Sequence, residues 1–261
     1  MKTVELSPCV ADILSRAQIS GRSLSILEQL DRPTYESVNR VLSAMGGKWS
    51  RKDRAHIFPV DAASVVASAL NSGKAVNRQQ SLQFFQTPAI LADRMVAKAR
   101  IAPGQRVLEP SAGLGRILDP ILAVDLHSEV VAVEIDEANV RDLRANYEGR
   151  VKVVHADFLQ WAESGEAPLF EVVIMNPPFT KNADLRHVLA AYKVLAPGGR
   201  IVAITSTHYL HAQEKEAVSF RHWVVKMGAK VEELPAGEFA ESGTSVSTLM
   251  LTIDRPFWDV N

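Results

Sequence analysis

The stretch Glu171–Phe179, EVVIMNPPF, runs apolar residues directly into an amide, two prolines and an aromatic ring. Asn176 offers a side-chain oxygen, and Pro177, which has no N–H to give, still presents its carbonyl. Two acceptors set side by side by the Pro177-Pro178 kink suit an –NH2 group, which has two N–H bonds to donate. Phe179 supplies a face on which a planar base can stack. Accepting both hydrogens pulls an aryl amine toward tetrahedral geometry and localises its lone pair, which can then attack an electrophilic methyl group in line. The plain structural reading of the same residues is a turn that ends a strand.

Three other positions carry chemistry of a related kind. In EPSAGLGR, Gly113 and Gly115 lead into a helix, where small residues let backbone N–H groups approach a ligand. Leu118 stands where the third glycine of a dinucleotide fingerprint would be, so the turn alone is a weak signal. Glu134 closes VAVEID about twenty residues later, the distance at which a carboxylate accepts the hydroxyls of a ribose. In HADFL, Asp157 can accept from an adenine amine and Phe158 can lie against the ring, with helix capping as the structural alternative. A glycine turn, a ribose carboxylate and an adenine acceptor together describe an adenosine-containing cofactor.

These positions gain meaning from the elements around them. From Phe84 onward, strands at RVLEP, EVVAVEID, VKVVHAD, FEVVIMN, RIVAITS, AKVEELP and SVSTLMLTI alternate with helices at about 88–100, 114–124, 137–147, 183–195 and 213–227. Such alternation predicts an α/β fold: a seven-stranded doubly wound sheet, mostly parallel, whose last two strands pair antiparallel at one edge. Ligands of an open sheet of this type bind beyond the carboxyl ends of its strands, where all four motifs fall. Residues 81–261 are therefore expected to form the catalytic domain. Residues 1–80 are expected to form a mostly helical module: two short helical pieces broken at ISGRS, a helix from DRPTYESV to Gly46-Gly47, a hairpin from Trp49 through His56–Val60, a helix from Asp61 to Gly73, and a polar linker over 74–83.

Composition narrows the class. The chain has 261 residues, 47% hydrophobic, and its single cysteine, Cys9, excludes an intramolecular disulfide or a cysteine-rich zinc site. Charges interrupt the N-terminal apolar stretch, and no apolar run reaches the roughly 18–20 residues of a membrane span, so a cytoplasmic protein without membrane or metal partners is expected. The net charge of −1 hides an asymmetry: residues 1–80 carry 11 Lys and Arg against 7 Asp and Glu, the remainder 18 against 23. A basic N-terminal third suits a polyanionic partner.

With the motifs FFQTP, EPSAGLG, VEID, ADF and NPPF in this order, Phe84–Ile253 resembles the catalytic domain of S-adenosylmethionine-dependent amino-methyltransferases, in particular the N6-adenine DNA methyltransferases. The resemblance covers about two-thirds of the chain. It implies S-adenosyl-L-methionine as cofactor, with Thr87 and Pro88 holding its methionine end. It further implies that Glu109, Pro110, Gly113 and Gly115 line the sulfonium and methionine region, Glu134 and Ile135 the ribose, and Asp157 and Phe158 the adenine. Asn176, Pro177, Pro178 and Phe179 would receive the target base. Methylation of adenine N6 in DNA, with short or little sequence specificity, is the expected activity. NPP-aromatic segments also occur in enzymes acting on adenine N6 or guanine N2 in RNA or on a protein glutamine amide, and these remain alternatives. A non-catalytic nucleic-acid or partner-binding protein is the alternative of another class; a nicotinamide-dependent dehydrogenase is disfavoured by the missing third glycine.

Family members usually carry a recognition domain after the sheet, so substrate contacts are here expected from the N-terminal module. In GGKWSRKDRAHIF, Lys48, Arg51, Lys52 and Arg54 cluster with Trp49, a combination able to grip phosphates and stack a base. The bland reading is a solvated hairpin tip with Trp49 anchoring a small core. His56 and His155 read as structural histidines, and His208 and Tyr209 as loop residues near the substrate.

Overall fold

A computed structural model describes residues 4–58, 61–76, 86–124, 127–235 and 247–259. The chain divides into two compact units, Met1–Phe84 and Phe85–Asn261. In the first unit the strands are β1 (Val4–Glu5), β2 (Gln18–Ser20), β3 (Ser23–Ser25), β4 (Lys48–Ser50), β5 (Ala55–Ile57) and β6 (Lys74–Ala75). In the second they are β7 (Arg106–Glu109), β8 (Glu129–Glu134), β9 (Val151–His155), β10 (Phe170–Met175), β11 (Leu195–Ser206), β12 (Lys230–Glu233) and β13 (Thr248–Asp254).

The second unit is built on a seven-stranded sheet of order β12-β13-β11-β10-β7-β8-β9. Pairings from β11 across to β9 are parallel, whereas β13 runs antiparallel to both β11 and β12. The expected antiparallel pair therefore exists, with β12 as the edge and β13 inserted one place in. Successive residues of each central strand feed opposite faces, as the period-2 pleat requires. Val107, Val172, Ile174, Val202 and Met250 pack on one side with the helix Ala89–Ala99. Leu108, Val173, Met175, Ile201 and Leu251 pack on the other with the helices Ala183–Lys193 and Lys215–Lys226. Burial on both faces explains why these strands read as nearly continuous apolar runs. The chain winds outward from β7 to β9, then returns to β10 on the other side of β7, so the topological switch lies between β7 and β10.

Two helices go beyond the sequence expectation: Phe158–Glu163, between β9 and β10, and the single turn His208–His211 after β11. The helix after the glycine turn is shorter than expected, spanning Leu118–Val124.

The first unit departs further from expectation. ISGRS is a hairpin turn, with Gly21 at φ 54 joining β2 to β3, where a break between two helices was expected. Only one helix, Pro8–Ser15, precedes it. The strands assemble as a four-stranded antiparallel sheet of order β2-β3-β5-β4. Three helices pack with it, Pro8–Ser15, Arg32–Ala44 and Ala62–Ser72, the latter two capped by Asp31 and Asp61 as their sequences suggest. The module is thus mixed α/β rather than mostly helical. The strands were missed because Ser20, Ser23 and Ser25 supply polar alternation with only Ile19 and Leu24 as apolar partners. Of the supposed linker, Lys74–Ala75 pairs with Val4–Glu5; residues 77–85, including Phe84, lie outside the described residues.

Candidate active site

Two strand ends meet at the switch point. The register Val173 opposite Leu108 sets the carboxyl ends of β7 and β10 side by side, and Leu108 opposite Val131 does the same for β7 and β8. Glu109 is the last residue of β7 and Glu134 the last of β8; they are 2% and 6% exposed. Buried carboxylates are rare without partners. Glu134 has them: Oε2 accepts from the Gly113 amide at 2.7 Å and Oε1 from the Asp136 amide at 2.7 Å. The glycine turn and the ribose-type carboxylate are therefore one unit, with the turn's own N–H orienting the acid. Glu109 is held differently. Among the described residues nothing hydrogen-bonds to its buried Oε2.

Burial, reinforced by the charges of Glu134 and Asp119, holds the Glu109 carboxyl well above its ordinary range. Burial also raises Glu134, opposed by the two amides that bond it. Carboxylates crowded into a dry strand end are stabilised by a cation, and a sulfonium bearing an amino group supplies positive charge. This donor set fits such a ligand better than it fits a polyanion.

Gly113 and Gly115 adopt φ 55 and 81. At Gly115 a Cβ would come 2.5 Å from the Tyr147 hydroxyl, so the ring of Tyr147 and the positive φ together demand glycine there. That hydroxyl donates to Asp119 Oδ1 at 2.6 Å and lies 3.1 Å from the Gly115 carbonyl. Asp119 and Tyr147 thus brace the turn, a role the sequence did not reveal. Pro110 is buried directly after Glu109, and Ile135, following Glu134, is 52% exposed, an apolar side chain left open beside a carboxylate.

At the end of β9, Asp157 caps the helix Phe158–Glu163, its Oδ1 accepting from Leu159 N at 2.8 Å and Gln160 N at 3.4 Å. Both bonds use Oδ1, so capping and an adenine contact through Oδ2 are compatible. Phe158 is a core residue, 3% exposed, with its ring 5.6 Å from that of His187 and 6.5 Å from that of Trp161. It has little surface to offer a base.

At the end of β10, Asn176 Nδ2 donates to Thr87 Oγ1 at 3.1 Å. Thr87 is buried and Pro88 begins the helix Ala89–Ala99, so the Thr-Pro segment before the sheet anchors the amide of the Asn-Pro-Pro segment. Because the amide is planar, fixing its nitrogen end directs its oxygen the other way. Pro177 is buried, and Phe179 packs against the core from a half-buried position. Lys181 and Asn182 follow with φ 51 and 59, two successive left-handed residues that are not glycine. Such backbone gathers at functional sites. Asn182 is steadied by a 3.2 Å bond to Glu216, and Asp184, fully buried, accepts from Ser206 N at 2.8 Å and Ser206 Oγ at 2.9 Å. These bonds tie the segment after Phe179 to the end of β11. Neither Asp184 nor Ser206 stands out in the sequence.

Comparison with known proteins agrees with this fold. Residues 74–169 match the family model described as ribosomal RNA adenine dimethylase. A "Probable ribosomal RNA small subunit methyltransferase A" of Methanosarcina barkeri is 28% identical over 113 residues, 42% of this chain and 37% of that protein. The matched stretch is thus well under half of the relative's length. Among solved structures, a Listeria monocytogenes protein classed among class I S-adenosylmethionine-dependent methyltransferases superposes with a TM-score of 0.54 at 14% identity, covering 67% of this chain and 62% of that one. The modification subunit of a protein classed as a type I restriction enzyme, from Vibrio vulnificus, gives 0.57 at 17% identity, covering 86% and 53%.

This is a Rossmann-like class I methyltransferase fold. S-adenosyl-L-methionine is the cofactor that the fold and the matched family imply, and the carboxylate-lined ends of β7 and β8 fit it. Lys48, Trp49, Arg51, Lys52 and Arg54 lie in the first unit, on or beside its β4–β5 hairpin. His56 Nε2 lies 3.0 Å from Asn39 Oδ1, and His155 Nε2 lies 3.2 Å from the Ile135 carbonyl, both ordinary structural bonds. Tyr209 is 1% exposed, whereas His208 pairs with Glu214 at 2.9 Å on the surface. No helix among the described residues is long and apolar enough to cross a membrane.

Proposed function

We propose that this protein transfers a methyl group from S-adenosyl-L-methionine to the exocyclic N6 amine of adenine in RNA. The observation that carries methyl transfer to an amine, whichever nucleic acid bears it, is the Thr87–Asn176 bond, which orients an amide acceptor at the strand end beside the carboxylate-lined one. When bound, the cofactor supplies an electrophilic methyl group. Glu134 accepts the ribose hydroxyls, Asp157 Oδ2 the cofactor's adenine amine, and Glu109 faces its positive charge. Asn176 Oδ1 and the Pro177 carbonyl accept the two hydrogens of the target amine, while Phe179 stacks on its ring. Holding both hydrogens localises the lone pair at nitrogen, so the chain acts by positioning and by fixed dipoles. The amine's surplus proton passes to water, because a neutral amide is a poor base.

RNA takes precedence over the DNA acceptor expected from the sequence because the matched family model and the archaeal relatives are named for ribosomal RNA. The match ends at residue 169, before β10, so it bears on the cofactor half and leaves the acceptor segment untouched. DNA is the second reading. It is favoured by the Thr87-Pro88 segment bonded to Asn176 and by the coverage of the restriction-enzyme subunit. In a duplex the base would have to leave its stack, at roughly a few kcal/mol.

The test is incubation with methyl-labelled S-adenosylmethionine and RNA, DNA or protein, followed by identification of the modified nucleoside. N6-methylated adenosine from RNA is the expected product. The deoxynucleoside alone would shift the acceptor to DNA, and label confined to protein would overturn the nucleic-acid reading.

A further inference from the structure

We infer that the β4–β5 hairpin of the first unit is a nucleic-acid grip that binds phosphates with Lys48, Arg51, Lys52 and Arg54 and stacks an unpaired base on Trp49. The inference rests on the nucleic-acid acceptor proposed above and adds the element that holds it. Its first support is the clustering of charge: Arg22, Arg40 and Lys74 also lack a carboxylate partner among the described residues, but at the hairpin four such cations fall between positions 48 and 54. Arg16 pairs with Asp12 and Glu28, and Arg32 with Glu36. The four cations of the hairpin have no carboxylate partner among the described residues, and all four are exposed. The tip does carry one acid, Asp53, but it is turned to other work. Its Oδ2 accepts from Ser50 Oγ at 2.6 Å, and its amide donates back to the same Oγ at 3.2 Å. These reciprocal bonds, together with Arg54 at φ 51, set the turn without neutralising a neighbour.

The second support is the ring. Trp49 lies on β4, the outer strand of its sheet, and is 52% exposed. Lysine on an edge strand guards against sheet extension, but a half-bare indole does the opposite. His56, its cross-strand partner, meets it edge-on at 5.1 Å and 61° and is itself fixed by Asn39 from the helix Arg32–Ala44. One side of the indole is thereby buttressed and the rest faces outward. An aromatic platform flanked by unpaired cations on a pre-set turn matches the way single strands are held: stacking for the base, charge for the backbone.

The test is binding of the full chain to a labelled single-stranded oligonucleotide of about 20 nucleotides, as RNA and as DNA, by fluorescence anisotropy over a salt series. An Arg51→Ala/Lys52→Ala/Arg54→Ala variant should bind about tenfold or more weakly, with the slope of log affinity against log salt reduced by about two. Trp49→Ala should lose about tenfold with the slope unchanged, and Trp49→Phe should recover most of it. Unaltered circular dichroism and thermal unfolding of each variant show that the first unit is intact, and unaltered S-adenosylmethionine affinity shows the same of the second. Wild-type affinity and slope in the triple variant would overturn the inference, as would no binding by the wild-type chain. Nucleic-acid methylation with normal binding by the variants would sink the grip alone. Salt-dependent binding lost in the variants, with label appearing only in protein, would sink the proposed acceptor and keep the grip.

Discussion

The two halves of the site use opposite materials on one sheet. At the ends of β7 and β8 the polar groups are carboxylates buried almost completely, and the charge of Glu134 adds to burial in raising the proton affinity of Glu109. At the end of β10 the polar group is a half-buried neutral amide clamped by a threonine hydroxyl. Buried negative charge is tolerable only if a cation or donor compensates it, so the first half is built to be completed by a ligand. The amide carries no charge, its nitrogen end is held by Thr87 and its oxygen is buried, and in the proposed reaction it accepts a hydrogen without taking a proton.

The sharpest way to break this contrast is to truncate the amide. Asn176→Ala should lower kcat by about a hundredfold to a thousandfold or more while leaving S-adenosylmethionine affinity within a few-fold, measured by single-turnover methylation and calorimetry. Equal loss of both would place Asn176 in the cofactor half. Glu134→Ala should do the reverse, weakening cofactor binding by about tenfold or more, because it removes the acceptor of two strand-end amides as well as the proposed ribose contact. If cofactor affinity survives that change, the assignment of Glu134 fails.

A smaller effect is expected where the glycine turn is braced. Gly115→Ala forces a Cβ against Tyr147 at a positive φ and should destabilise the fold by about 1–3 kcal/mol in denaturant unfolding. The smallest effect, and the one that most refines the contrast, concerns pH. The folded chain keeps the Glu109 proton to higher pH than the unfolded chain, whose ordinary value is 4.5. The stability this group contributes is therefore complete below that value and is lost as pH rises through the raised one. Relative to Glu109→Gln, the wild-type melting temperature should fall as pH increases, and S-adenosylmethionine should narrow the gap because its positive charge favours the ionised acid. A gap that does not change with pH would mean that Glu109 is not held protonated.

Much of the catalytic sheet was legible because its strands are buried on both faces, and long apolar runs bounded by turn residues leave few alternatives. The clustering of polar groups at strand ends was legible for a related reason: the carboxyl ends of such strands are where a chain must place them. The braces were not. Thr87 and Asn176 are 89 residues apart, Asp184 and Ser206 are 22, and only folding shows that they touch. Phe158 is expected to lie against a base yet is buried in the core, because motif position does not say which side of a turn a ring faces. The small module misled for want of signal, since three-residue strands rich in serine carry no clear period.

The central claim is that one amine is held by the side-chain oxygen of Asn176 and the backbone oxygen of Pro177. A crystal structure of the chain with a non-reactive cofactor analogue and an adenine-containing oligonucleotide tests it directly. Both oxygens within about 3 Å of the adenine N6, on the side facing the cofactor, is the predicted result. Either oxygen turned away from that nitrogen, or the base seated elsewhere, would contradict it.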